Sequence, residues 1–250
     1  MKEATVLFVA GALCVTAVAL APVGVTEVRG EGNVSATPVK LSEHLYVLDD
    51  TCNVYLLTDG DAALAVDFGS GSALDHLETL GVKRLEWVLH THYHRDQCQG
   101  DGRAIAAGAK LAVPEAQLMI HGEDAPMLGQ LAHSARMFGM QAENSPDPDR
   151  LLQDKDKLTY GDISLEVVHV PGHSPGGVAF VSDEGIFVGD TLFAGSIGRT
   201  DLPGGDFDTL IASIQNRLFQ YADETPVYPG HMGPTTIGQE KRFNPFCAIH

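Results

Sequence analysis

Between residues 90 and 97 the chain reads His90-Thr91-His92-Tyr93-His94-Arg95-Asp96-Gln97. Two imidazoles and a carboxylate alternate at 92, 94 and 96. That spacing turns three metal-binding groups to one side of a strand end and the turn behind it. Imidazole nitrogen together with carboxylate oxygen suits a borderline metal such as zinc, iron or manganese. Further candidates follow downstream: His173 after Pro171-Gly172, Asp190 after Gly189, and His231 after Pro229-Gly230. A histidine on its own is more often a packed or surface residue than a ligand, and an aspartate beside glycine is more often a turn. Position sets these apart, because each falls where a strand is expected to end. Reactive groups on loops held by rigid strands are a common way to gather ligands in one concavity.

The elements that must do this positioning are legible as short apolar runs broken by turn residues. Leu45–Leu48, Asn53–Thr58 and Ala62–Asp67 read as strands separated by turns such as Asp59-Gly60-Asp61. Ser72 is expected to cap a helix running through Leu80. Glu86–His90 is a strand that delivers the histidine run, with a short helix after Asp96. A strand near Leu111–Val113 and helical stretches to about Met140 follow, then a loop through Pro146 and Pro148. Ile163–Val170 is a strong strand ending in Pro171-Gly172-His173. Val178–Ser182 and Ile186–Gly189 form a hairpin around Asp183-Glu184-Gly185. Asp206 is expected to cap a helix over Phe207–Phe219. Pro226–Tyr228 is the last expected strand, and a C-terminal helix starts at Thr235-Thr236.

The chain has 250 residues, 44% of them hydrophobic and 20% charged, which gives a globular protein with ample length for a core. Its formal net charge of −17 argues against nucleic acid as a partner, because phosphate binding requires a basic face. The four cysteines, at 14, 52, 98 and 247, form neither a CxxC pair nor a zinc-ribbon spacing, and they read as ordinary buried thiols. From Ala4 to Thr26 there is no charged residue, and Ala19-Leu20-Ala21 before Pro22 has the small-x-small character of a cleavage site. Residues 1–28 therefore read as a signal peptide or a membrane anchor, implying an exported (periplasmic or secreted) or membrane-attached protein, with a cytoplasmic one as the alternative. Any membrane contact is expected through this segment only. Residues 29–40 read as a linker, and 41–250 as the folded domain.

The run Thr91-His92-Tyr93-His94-Arg95-Asp96 resembles the THxHxDH signature of the metallo-β-lactamase superfamily. The resemblance continues through Pro171-Gly172-His173-Ser174-Pro175-Gly176-Gly177, Gly189-Asp190-Thr191-Leu192-Phe193, Gly198-Arg199-Thr200-Asp201 and Tyr228-Pro229-Gly230-His231. The last three segments look most like glyoxalase II (hydroxyacylglutathione hydrolase) and its small bacterial relatives. The resemblance implies an α/β fold, an αββα sandwich of two mixed β-sheets flanked by helices, with metal held at one edge between the sheets. It implies a first site of His92, His94 and His173, with Asp190 bridging to a second site of Asp96 and His231.

The family's remaining second-site histidine falls at position 97, where this chain has Gln97. An amide carbonyl is a neutral oxygen donor and binds transition metals more weakly than imidazole does. The resemblance with this departure implies one tight metal, zinc first and iron or manganese as alternatives, and a second that is weak or absent. His90 and Cys98 are conceivable replacements, but both read as packing residues. A metal so held lowers the pKa of water to about 7 and supplies a nucleophile for a thioester carbonyl. Asp96 and Asp190 are then the catalytic carboxylates, Asp96 orienting the water or accepting its proton. Arg199, Lys241 and Arg242 are the candidates for the anionic end of a glutathione thioester, with a solvated face as the alternative for the last two and a structural ion pair for Arg199.

The resulting expectation is a metal-dependent thioester hydrolase of hydroxyacylglutathione type. Alternatives are a mononuclear iron persulfide dioxygenase, a β-lactam hydrolase, and a non-catalytic binding domain. A serine hydrolase is rejected, although Gly172-His173-Ser174-Pro175-Gly176 matches the GxSxG pattern. An oxyanion hole needs the N–H of the residue after the nucleophile, and Pro175 has none.

Overall fold

A computed structural model of the protein describes residues 37–104, 116–137 and 139–249. The expected signal peptide or anchor and the expected strand at Leu111–Val113 lie outside the described residues. Among those described, no helix is long and apolar enough to cross a membrane.

Two sheets are present. The first follows chain order, β1 (Val39–Lys40), β2 (Leu45–Asp49), β3 (Asn53–Asp59), β4 (Ala62–Val66), β5 (Arg84–Leu89), β6 (Gln117–His121) and β7 (Arg150–Leu152). It is antiparallel from β1 to β4 and parallel from β4 to β7. The second has the order β15-β14-β11-β10-β9-β8, built from β8 (Lys157–Tyr160), β9 (Ile163–His169), β10 (Val178–Ser182), β11 (Gly185–Gly189), β14 (Pro226–Pro229) and β15 (Thr235–Thr236). Here β11 and β14 run parallel. A small hairpin, β12 (Leu192–Phe193) with β13 (Ser196–Ile197), lies between them in sequence.

Strand alternation explains the layering. In β4 every residue is buried, so the strand must be covered on both faces. Leu64 and Val66 face inward, where Leu57, Leu89 and Met119 of the first sheet meet Leu165, Val167, Phe180 and Phe187 of the second. Ala63 and Ala65 face outward into a layer with Leu56, Val88, Leu77, Leu128 and Leu131. The second sheet's outer face, with Ala179, Ile186 and Val188, is covered by Leu210, Ile214, Leu218 and Ile237. These come from α4 (Phe207–Ser213), the π-helical turn Ile214–Leu218 that continues it, and α5 (Ile237–Phe243). The shorter helices α1 (Arg95–Cys98), α2 (Ala125–Leu128) and α3 (Leu131–Met137) belong to the first half. The architecture is the expected sandwich of two mixed sheets between helical layers.

Four local expectations are corrected. The stretch expected as a helix from Ser72 to Leu80 is a 3-10 turn over Ser72–Asp75 capped by Gly71, followed by further turns. Ser70 and Ser72 both donate their hydroxyls to Asp50, at 2.9 and 2.7 Å, so Ser72 is spent on a loop contact rather than a helix cap. The helix capped by Asp206, which accepts from the Thr209 N–H at 2.8 Å, changes to π geometry after Ser213. The expected linker ends earlier than residue 40, since Val39 and Lys40 pair with Val47 and Tyr46 as an edge strand. Pro226–Pro229 is followed by one more strand, Thr235–Thr236, before Thr236 caps α5 by accepting from the Gln239 N–H.

Parallel neighbours deliver their C-terminal ends to one edge. β5 ends before His90, β11 before Asp190 and β14 before His231, while β9 leads into Pro171-Gly172-His173. Gly172 fixes the last of these approaches. Its φ of +129° is in the region that favours glycine, and a β-carbon there would collide with the backbone of Leu210 in α4. Gly172→Ala is expected to cost about 1–3 kcal/mol of stability or more, read from urea unfolding, because strain and collision act together.

Candidate metal centre

The histidine run is held from behind. After β5 the His90 N–H donates to the Met119 carbonyl, and the Thr91 carbonyl accepts from Val178 of the opposite sheet at 2.9 Å. The Thr91 N–H and hydroxyl both donate to the buried carboxylate of Asp67, at 2.9 and 2.8 Å. With its proton given to Asp67, the Thr91 hydroxyl accepts from Nδ1 of His92 at 3.0 Å, which leaves the His92 Nε2 lone pair facing forward. His173 is fixed in the same way. Its Nδ1 lies 2.7 Å from the carbonyl of Arg199, which only accepts, so Nε2 carries the lone pair. That Nε2 is 3.2 Å from Nε2 of His92 and 2.8 Å from Nδ1 of His94. The three rings stand mutually edge-on, with interplanar angles of 88°, 85° and 90°.

Electrostatics keeps this cluster neutral. Burial, followed by the neighbouring imidazoles, holds His92 well below the ordinary histidine range. Burial and His173 push His94 down to about 3, and burial also lowers His173. Three uncharged imidazoles facing one another need a cation to satisfy them, and the set fits a borderline metal held by three nitrogens with a position left open. The residues present therefore suit the metal that the histidine spacing implies.

A second group adjoins the first. His231 Nε2 lies 2.9 Å from Asp96 Oδ2 and 3.5 Å from Asp190 Oδ2, and that same Asp190 oxygen is 3.6 Å from Nε2 of His173. Asp190 thus stands between the two sets, and within each set one ligand atom per residue lies within 4.8 Å of the others. Burial pushes the Asp190 carboxyl up to about 7. The hydrogen bond to Asp96 raises His231 to about 9. Burial opposes ionisation of Asp96, but the hydrogen bond and charge of His231 outweigh it and hold the carboxyl below its ordinary value. Gln97 is fully buried beside these groups, its amide nitrogen 3.4 Å from Asp190 Oδ1. With the amide turned over, the nitrogen donates to Asp96 at 2.9 Å and reaches His92 Nε2 at 3.3 Å. A neutral amide therefore stands among the ligands of both groups.

Several residues that the spacing does not announce complete the centre. Asp124 is fully buried and accepts from the Tyr93 N–H at 3.2 Å, the Ser174 hydroxyl at 2.6 Å and the Gly176 N–H at 2.6 Å. It joins the loop bearing His92 and His94 to the loop bearing His173. Burial lifts its carboxyl to about 6 despite these three bonds. Ser174, the serine of the rejected GxSxG pattern, is a buried donor to Asp124. His90 and Cys98 lie behind the ligands: His90 Nε2 is 2.9 Å from Asp101, which also accepts from Ser145, and the Cys98 thiol meets the His92 carbonyl at 3.4 Å. Neither replaces the imidazole missing at 97. Cys52, Cys98 and Cys247 are free and buried.

His94, Asp96, His173, Asp190 and His231 line a cleft of about 640 Å³ together with the apolar Leu131, Ala135, Met140, Phe193, Ile197 and Leu202. Arg95 and Arg199 bring positive charge to it. Arg199 is paired with Asp201 through two 2.7 Å bonds, whereas Arg95 has no carboxylate partner among the described residues. Lys241 and Arg242 do not line this cleft. Both turn to Asp223, at 3.9 and 2.9 Å. Arg95 is a further cation at the site.

Mixed sheets packed face to face, helices outside, and a histidine–aspartate centre where the strands end define a metal-binding hydrolase architecture. The profile described as Metallo-beta-lactamase superfamily matches residues 47–231, and the chain belongs to that superfamily of metallohydrolases. Hydroxyacylglutathione hydrolase GloC of Haemophilus influenzae is 36% identical over 203 residues, covering 78% of this chain and 92% of that protein. Among solved structures, the BLEG-1 B3 metallo-beta-lactamase matches with a TM-score of 0.70 at 33% identity, over 79% of this chain and 95% of that one. TTHA1623 in a di-iron-bound form matches with a TM-score of 0.69 at 34% identity, over 84% and 100%.

Asp124→Asn tests the link between the two ligand loops. An asparagine keeps one acceptor oxygen but turns N–H groups toward donors, so a loss of about 1–3 kcal/mol is expected. Thermal unfolding measures the loss. Weaker metal retention on dialysis should accompany it, because both loops are released together.

Proposed function

We propose that this protein is a metal-dependent hydrolase of thioesters with a hydroxyacylglutathione-type substrate. The observation that carries the reading is the convergence of His92, His94 and His173, uncharged and with Asp190 beside them, at an open cleft that His94, His173 and Asp190 line. The 36% identity to a hydroxyacylglutathione hydrolase supports the choice of substrate. A metal held there supplies Lewis acidity and an activated water at neutral pH.

The chain's own residues supply the rest. Asp96, kept ionised by His231, is placed to orient the attacking water and accept its proton. The apolar walls exclude bulk water around the acyl group, and Arg95 meets the carboxylates of the thiol carrier. The expected products are a free acid and a thiol. Loss of hydroxyacylglutathione together with stoichiometric thiol release tests the proposal, and no turnover of that thioester by metal-loaded enzyme sinks it. Asp96→Asn should lower turnover by about 100-fold.

We infer one tightly held metal, zinc by preference, with the second position weakened by Gln97. Elemental analysis after dialysis should give about one metal per chain in the wild type and more in Gln97→His, since imidazole is the better donor. Two tight metals in the wild type would reject this inference. Gln97 also favours a second reading, a mononuclear iron persulfide dioxygenase, because such chemistry needs one metal. Oxygen uptake on glutathione persulfide, without thiol release from thioesters, selects that alternative.

A further inference from the structure

Away from the centre, two histidines from opposite sheets meet just beneath the surface. His121 is the last residue of β6 in the first sheet, and His169 is the last residue of β9 in the second. Their rings stack with centroids 4.3 Å apart and 14° between planes. Glu123 stands beside them, and one ligand atom from each of His121, Glu123 and His169 lies within 4.8 Å of the others. We propose that these three residues form a separate site for a borderline divalent transition metal, one that ties the two sheets together. This inference does not depend on the thioester reading.

The donor set decides the class of ion. Two imidazoles and one carboxylate suit zinc, nickel or cobalt, whereas calcium and magnesium prefer an all-oxygen shell. A lone pair is also available on His169. His169 Nε2 is 2.9 Å from the Pro175 carbonyl, which only accepts, so this nitrogen carries the proton and Nδ1 is free for a ligand bond. Burial and His169 keep His121 below its ordinary pKa, so no proton competes strongly there at neutral pH. Glu123 is exposed, which leaves the site an entry path. Asp154 and Asp156 add negative potential at His121, although Asp154 is paired with Arg217 and Asp156 with Arg150.

The stack itself sets how binding proceeds. A metal bonds to imidazole along the lone pair, close to the ring plane, at about 2.0–2.1 Å. Two nearly parallel rings cannot both offer that geometry to one ion, so uptake requires one ring to turn. His169 is fixed by Pro175. His121 is held by a long contact of 3.4 Å from the Glu123 N–H, so His121 is the ring that turns. The need to open the stack, with only three protein ligands, places the affinity in the micromolar range rather than with tight structural zinc sites. His169 holds the carbonyl of Pro175 in the loop that presents His173, and Asp124 follows His121 by one turn. An ion here would therefore brace both ligand loops from outside.

Titration calorimetry with nickel on the full chain tests the proposal. The wild type should take up one ion per chain more than His121→Ala, with micromolar affinity. The same isotherm should persist in His92→Ala, where the main centre is damaged. Glu123→Gln, an exposed change that spares the fold, should weaken this extra binding roughly tenfold or more. Equal nickel stoichiometry and affinity in the wild type, His121→Ala and Glu123→Gln would overturn the site.

Discussion

The Nε2 lone pairs of His92 and His173, 3.2 Å apart with Nδ1 of His94 2.8 Å from the latter, repel, and much of this fold serves to hold them there. No one element could do it. His92 and His94 come from the end of a strand in the first sheet, and His173, Asp190 and His231 from strand ends in the second. Each imidazole whose second nitrogen is anchored rests on something rigid: Thr91 and Asp67 behind His92, a backbone carbonyl behind His173. Asp124 then locks one ligand loop against the other. Burial keeps these histidines uncharged, which converts a crowded cluster into a set of ligands.

The same constraint explains what could be read from the chain and what could not. His92, His94, Asp96, His173, Asp190 and His231 were legible because each lies within a few residues after an apolar run, and strand ends are visible in sequence. The mixed-sheet sandwich followed from the motifs those residues belong to. Asp124 was not legible. It accepts from Tyr93, Ser174 and Gly176, partners 31 to 52 positions away, and nothing in Gly122-Glu123-Asp124 differs from an ordinary surface turn. Asp101 is likewise unmarked, its partners His90 and Ser145 lying 11 and 44 positions away. The contacts of Lys241 and Arg242 with Asp223 were not legible either, because their helix approaches Asp223 only in the folded chain. Ser72 failed as a helix cap because Asp50, distant in sequence, takes its hydroxyl.

Gln97 is the one point at which the chain departs from a symmetric pair of sites. It is not a surface curiosity, since its side chain is fully buried and its amide touches the ligands of both groups. An amide can donate as well as accept, and its NH2 group can do so toward the ligand atoms themselves. The substitution therefore adds a hydrogen-bond donor inside a ring of acceptors. In one orientation that donor faces Asp190 and in the other Asp96, each carboxylate already in contact with His231.

The support beneath His173 is a peptide carbonyl, that of Arg199, and not a side chain. Side-chain replacement at 199 leaves that acceptor in the chain, so such variants report on the rim and its pairing with Asp201. What the support does demand is a particular backbone path. Gly198 runs so close under the centre that a β-carbon would strike the carbonyl of Asp190 and come within 3.0 Å of His173 Nδ1. The constraint on this ligand thus falls one residue upstream of its acceptor, on the absence of a side chain at Gly198.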